Sequence, residues 1–192
     1  MLSKSEQGVL LFGAREALRT LFDHEYPYPS VQYKNYPALM NHNGAFVTLY
    51  LDNHLRGCIG YVESDAPIFE TVCEAAILAA TEDPRFAPLT AEELPQVLIE
   101  VSVLSVPKRI KDYVEIEIGK HGLIVDEAGH RGLLLPQVAV EHKMKLDQFL
   151  TALCQKAGLP GNYWTRRMMH MMTFEADVFG EVKHRNLTGE RR

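Results

Sequence analysis

The chain has 192 residues, 46% hydrophobic and 23% charged, an ordinary globular balance for one compact domain or two small lobes. A net charge of -5 argues against broad binding to nucleic acid, which needs a basic footprint. No run of about 18 apolar residues occurs, so no membrane-spanning helix is expected, and the start of the chain does not read as a secretory signal.

In chain order, Ser3 followed by Glu6 resembles a capping box, and Leu10, Ala14, Ala17, Leu18 and Leu21 recur at helical spacing, so a helix is predicted over Glu6 to Phe22. Tyr26-Pro27-Tyr28-Pro29 ends it in a tyrosine-rich loop. Ala45 to Tyr50 reads as a strand, Asp52-Asn53 as a tight turn and Leu55 to Tyr61 as its hairpin partner, with Asn53 taking the left-handed conformation. Pro67 opens a second helix, with Ile68, Val72, Ala75, Ala76 and Ala79 as its buried stripe, and Pro84 stops it near Thr81 or Glu82. Thr90 with Glu93 predicts a short capped helix ended by Pro95. A strand covered on both faces follows over 97–104.

Leu123 to Asp126 and Arg131 to Leu135 form a second hairpin turning at Glu127-Ala128-Gly129-His130. Leu146, Phe149, Leu150 and Leu153 give the last helix stripe, with Gly158 as its C-terminal glycine. Phe174, Ala176, Val178 and Val182 predict a final strand, and 189–192 a frayed tail. Hairpins and separate helices favour an α+β fold of mostly antiparallel strands with packed helices over a regular βαβ array.

The hexapeptide Leu55-Arg56-Gly57-Cys58-Ile59-Gly60 departs from strand composition. Glycine has no side chain to pack and loses the most backbone freedom on ordering, so Gly57 and Gly60 indicate a close approach to the backbone; on the functional reading the approaching group is a ligand. In a regular strand Arg56 and Cys58 share a face, and a guanidinium beside a thiol favours the reactive thiolate. The structural alternative is a small core cysteine beside an ion-paired arginine. Glu100 lies mid-strand between apolar neighbours and needs a partner, for which Arg56 and Arg85 are candidates. Arg56, Cys58 and Glu100 are therefore expected to meet.

Asp83 and Arg85 read either as a structural loop, with Asp83 capping it and Phe86 plugging the core, or as an anion-recognising loop built on the planar donor fork of arginine. His121 is a candidate general base, because its charge changes near neutral pH, with a structural hydrogen-bonding role as the alternative. Gln137 is a candidate to orient a ligand through its amide, or to satisfy loop carbonyls. Lys108-Arg109 and Arg166-Arg167 read as solvated basic runs, and Met168, Met169, Met171 and Met172 as packing.

Cys58, Cys73 and Cys154 are odd in number, widely spaced and without a CxxC pair, so neither a disulfide framework nor a metal site is expected and a reducing cytoplasm is the simplest setting. No phosphate loop, dinucleotide fingerprint, nucleophile elbow or iron–sulfur spacing occurs, and no cofactor is expected.

The hexapeptide, with Gly44-Ala45-Phe46-Val47-Thr48-Leu49 before it, resembles the signature of the AMME chromosomal region protein 1 family, whose prokaryotic members are called AmmeMemoRadiSam system protein A. The resemblance continues through Asp83-Pro84-Arg85-Phe86, 99–105, His121-Gly122-Leu123, 132–139 and Lys156-Ala157-Gly158-Leu159, roughly from Ala14 to Val182. It departs at Met144-Lys145, where many relatives have Trp-Asp. The resemblance implies one domain over residues 1–192, with a larger and a smaller lobe sharing a core around a cleft. It also implies association with a Memo-like protein and a radical S-adenosylmethionine protein, which would supply the iron–sulfur chemistry. The resulting expectation is a cytosolic accessory enzyme or small-ligand protein. As an enzyme, it would use Cys58 as nucleophile, Arg56 to hold an anion, and His121 or Glu100 to move protons. The rivals are a non-enzymatic adaptor and, less favoured by the acidic balance, an RNA-binding protein.

Overall fold

The computed structural model describes residues 1–181. The elements run α1 (Lys4–Arg19), β1 (Ala45–Leu51), β2 (His54–Tyr61), α2 (Ile68–Thr81), β3 (Leu98–Leu104), β4 (Lys108–Arg109), β5 (Gly122–Glu127), β6 (His130–Leu134), α3 (Pro136–Glu141), α4 (Leu146–Lys156), β7 (Met171–Phe174) and β8 (Ala176–Gly180). The fold is α+β, as expected. The described residues divide into two compact units, one of Met1–Val103 with 177–181, the other of Leu104–Ala176.

In the first unit a four-stranded sheet has the order β2-β1-β3-β8, with β2 antiparallel to β1 and β1 antiparallel to β3. The Ser3–Glu6 capping box forms and α1 begins at Lys4, two residues before the predicted start. It ends at Arg19 rather than Phe22, because the N–H groups of Leu21 and Phe22 bond three residues back, to Leu18 and Arg19, in a tightened last turn. Both Asp52 (φ 51°) and Asn53 (φ 62°) take the left-handed conformation in the β1–β2 turn, where one residue was expected to. Helix α2 starts after Pro67 and stops at Thr81, as the prolines dictate. Its stripe packs with Leu10, Ala14, Leu18, Val47, Leu49, Ile99 and Val101 in a cluster of buried apolar side chains.

The Thr90–Glu93 box is made, with the Thr90 N–H donating to Glu93 (2.9 Å), but 91–96 forms turns rather than a helix. Pro95 has no N–H to continue a helix.

In the second unit the sheet order is β4-β7-β5-β6, again with antiparallel pairs, and a separate cluster of buried side chains centres on Leu123, Val125, Phe149, Leu150 and Leu153. The β5–β6 hairpin turns through Ala128 and Gly129 at positive φ, where the sequence placed it. At the start of α4 the N–H of Lys145 donates to the Gln148 side chain (2.8 Å), and Met144 packs against the cluster, so the Met144-Lys145 departure is absorbed as packing and a cap. Gly158 (φ 75°) ends α4 as expected, with its own N–H bonding Gln155 and that of Leu159 bonding Cys154. The predicted final strand is two, β7 and β8, which belong to different sheets. Val182 and residues 189–192 lie outside the described residues.

Candidate functional site

The site is built on the β2–β1–β3 surface of the first unit. Register places Thr48 opposite Cys58 on one side and opposite Glu100 on the other, so Cys58, Thr48 and Glu100 form one cross-strand row. The Thr48 hydroxyl donates to the Cys58 sulfur at 3.3 Å. Gly57, the residue before, belongs to the opposite face, and a Cβ there would lie 2.1 Å from the carbonyl oxygen of Ala79 in α2. A Cβ at Gly60 would lie 2.1 Å from the Ala45 carbonyl oxygen. The close approach inferred from the glycines is real, but the protein's own backbone makes it. Gly57 and Gly60 are therefore structural contacts and not the ligand-facing residues expected.

The Arg56–Glu100 pairing is also corrected. Leu49 pairs with Gly57 and Tyr50 with Leu55, so Arg56 is the extra residue of a β-bulge and the regular alternation with Cys58 breaks. Its Nε and Nη2 donate to the two oxygens of Glu93 (2.9 Å each), Nη1 to the Ala87 carbonyl (2.9 Å) and Nη2 to that of Pro88 (3.2 Å). These bonds commit the Arg56 fork to the protein. Sequence reasoning missed Glu93, although its capping-box position marked it as a fixed carboxylate.

The charge of Arg85 favours the Cys58 thiolate, and Asp83 bonds to both residues. β2 is an edge strand, and the outward N–H of Cys58 donates to Asp83 Oδ2 at 2.8 Å. Asp83 also accepts from the Arg85 N–H (3.1 Å), Nε (2.9 Å) and Nη2 (2.7 Å). The Asp83 side chain is 3% exposed and that of Arg85 is 55% exposed. A buried carboxylate thus pins an exposed guanidinium beside a partly exposed thiol. The Arg85 hydrogen bonds, chiefly, hold Asp83 well below the usual carboxylate range. Burial pushes the Cys58 thiol up; Thr48 and Arg85 oppose this, while Asp83 and Glu100 add to it. Burial therefore works against the activated thiolate expected at Cys58. Phe86 is half-buried with Arg85 5.5 Å from its ring centre, and the apolar anchor of this loop is Leu89, 6% exposed, rather than Phe86.

His121 and Gln137 lie in the second unit. His121 precedes β5 and its Nδ1 accepts from the Glu117 N–H (3.1 Å); Gln137 occupies the first turn of α3. Among the described residues no group of three or more His, Cys, Asp or Glu side chains is arranged to hold a metal ion, and no helix is long and apolar enough to cross a membrane.

The depressed Asp83 titration gives a testable sign. Its contribution to stability is fully present above the unfolded carboxylate value of about 3.9 and is lost as pH falls through the lower folded value. Asp83→Asn is expected to cost about 2 kcal/mol at pH 7, through the charged bonds to Arg85 and to the Cys58 amide, and visibly less at pH 3. Urea unfolding at both pH values checks this; an equal cost at both would show that ionised Asp83 contributes nothing.

The AMMECR1 family model matches residues 11–179. Protein MJ0810 of Methanocaldococcus jannaschii is 45% identical over 168 residues, covering 83% of this chain and 84% of that one. Protein MK0488 of Methanopyrus kandleri is 46% identical over 168 residues, covering 80% and 81%. The crystal structure of the uncharacterized protein PH0010 from Pyrococcus horikoshii superposes with a TM-score of 0.84 at 36% identity, covering 94% of this chain and 93% of that one. The ordered motifs, the matched span and these relatives agree, and the chain belongs to the AMMECR1 family.

Proposed function

We propose that this protein is a small-ligand protein that holds an anionic group, a carboxylate or phosphate, at Arg85 beside Cys58. The observation that carries the reading is the Arg85 fork, largely exposed yet fixed by the buried Asp83. A fork of this kind keeps donors for an incoming anion and loses little freedom when it binds. The polar row of Cys58, Thr48 and Glu100 supports a ligand surface over an inert core, because Cys58 is partly exposed. Burial disfavours the Cys58 thiolate, which favours binding over covalent catalysis; a covalent step needs the thiol proton to pass first to a base such as Glu100. We place the protein in the cytoplasm as one domain acting beside Memo-like and radical S-adenosylmethionine proteins. The family resemblance implies that association, and the three free cysteines suit a reducing compartment.

Alkylation of Cys58 tests the reading without a known ligand. The rate ratio of anionic iodoacetate to neutral iodoacetamide is expected to exceed that of the urea-unfolded chain by about threefold, the scale of one partly screened charge. Arg85→Ala is expected to abolish the excess. An unchanged ratio in Arg85→Ala would overturn anion binding at this position.

A further inference from the structure

We infer that Arg56 and Glu93 form a latch that straps residues 83–93 across the edge of the first sheet, making Arg56 the positioning residue for Arg85. The inference rests on the anion-binding reading above. Arg85 is bracketed. Two residues before it, Asp83 is tied to the sheet through the Cys58 N–H (2.8 Å); two and three residues after it, the Ala87 and Pro88 carbonyls are tied to Arg56 (2.9 and 3.2 Å). Beyond them the Leu89 N–H returns to the Ala80 carbonyl (2.7 Å), and Glu93 closes on both faces of the latch, accepting from Arg56 and from the Thr90 N–H.

The strap has little else to hold it. Ala87, Pro88 and Thr90 are exposed, and Leu89 is its one buried apolar side chain. Ordering such a segment costs conformational entropy that one leucine does not offset, so the multidentate arginine decides whether it closes. The bulge explains why an arginine occupies this strand. As the extra residue, Arg56 is free of the cross-strand pairing and can turn its fork outward past the edge. The closed strap also covers the outward N–H of an edge strand, which otherwise is a template for pairing with another chain.

Arg56→Lys keeps the charge but lacks the fork, and Glu93→Gln keeps the bonds to Ala87 and Pro88 but loses the ion pair. In both, amide hydrogen exchange at Cys58 is expected to quicken at least tenfold, with exchange at Val47 in the sheet centre unchanged. In both, the iodoacetate-to-iodoacetamide ratio at Cys58 is expected to fall toward that of Arg85→Ala. Unchanged exchange at Cys58 in the two variants overturns the latch. Faster exchange with a wild-type ratio overturns the positioning role and leaves Arg56 merely structural. A wild-type protein whose ratio equals that of the unfolded chain defeats anion binding instead, and the exchange rates then decide the latch alone. Glu93→Gln serves as the deciding variant if Arg56→Lys does not fold.

Discussion

Gly57→Ala is expected to destabilise the protein by about 3 kcal/mol or more, the upper range for overpacking a fixed site. The added Cβ meets the Ala79 carbonyl oxygen at 2.1 Å and its carbonyl carbon at 3.1 Å. Both atoms are helix backbone, so no side-chain rotation relieves the clash; either α2 lifts from the sheet or β2 shifts against β1. For a chain of this size the loss corresponds to about 6–12 °C in melting temperature. Gly8→Ala is the control of opposite sign. Gly8 is exposed within α1, and an added Cβ meets nothing within 4 Å. There alanine is expected to gain about 0.5–1 kcal/mol through reduced backbone entropy. Thermal and urea unfolding of the two variants reads both effects. A Gly57→Ala protein as stable as wild type would show that the helix does not sit on the strand backbone.

Brief alkylation of the native protein is expected to label Cys58 faster than Cys73 or Cys154 by an order of magnitude or more, because access favours it. Cys73 and Cys154 are fully buried, and burial pushes the Cys73 thiol up to about 12. Cys58 is partly exposed, and its own thiol is raised by burial. Its rate is therefore expected to keep climbing with pH past about 8.5, where a free cysteine levels off. Arg85→Ala should move the inflection higher still, since Arg85 supplies the positive charge that favours the thiolate. Mass spectrometry of labelled peptides across pH checks the order and the profile. A Cys58 inflection below about 8.5 would restore the nucleophile reading; preferential labelling of Cys73 or Cys154 would contradict the packing of α2 and α4.

Much of the fold is legible because it rests on local rules. Ser3 and Glu6 cap α1, Pro67 and Pro84 bound α2, Asp52-Asn53 and Ala128-Gly129 turn the two hairpins, and Gly158 ends α4. Each depends on residues within about one helical turn of one another, so sequence spacing carries the information. The misreadings share a cause too. Thr90–Glu93 makes its box without a helix while its carboxylate also serves a distant arginine, and the final strand splits because its two parts join different sheets.

Residue spacing alone carries the α+β class, and the ordered motifs carry the family. The sequence also singled out Glu100, because a charged group in an apolar strand requires a partner, Cys58 through its flanking glycines and nearby arginine, and Asp83 and Arg85 as a polar loop. Which partners those are depends on how the strands and the loop come together. One extra residue at Arg56 breaks the strand alternation, sends its fork to Glu93 and leaves Arg85 to stand beside Cys58. A bulge depends on the register between two strands, and an ion pair across 37 residues depends on how a loop returns to the sheet. Neither is written in the spacing of residues along one segment. The same holds for the glycines: composition announced a close approach, but whether a ligand or the α2 backbone fills the space is a matter of packing.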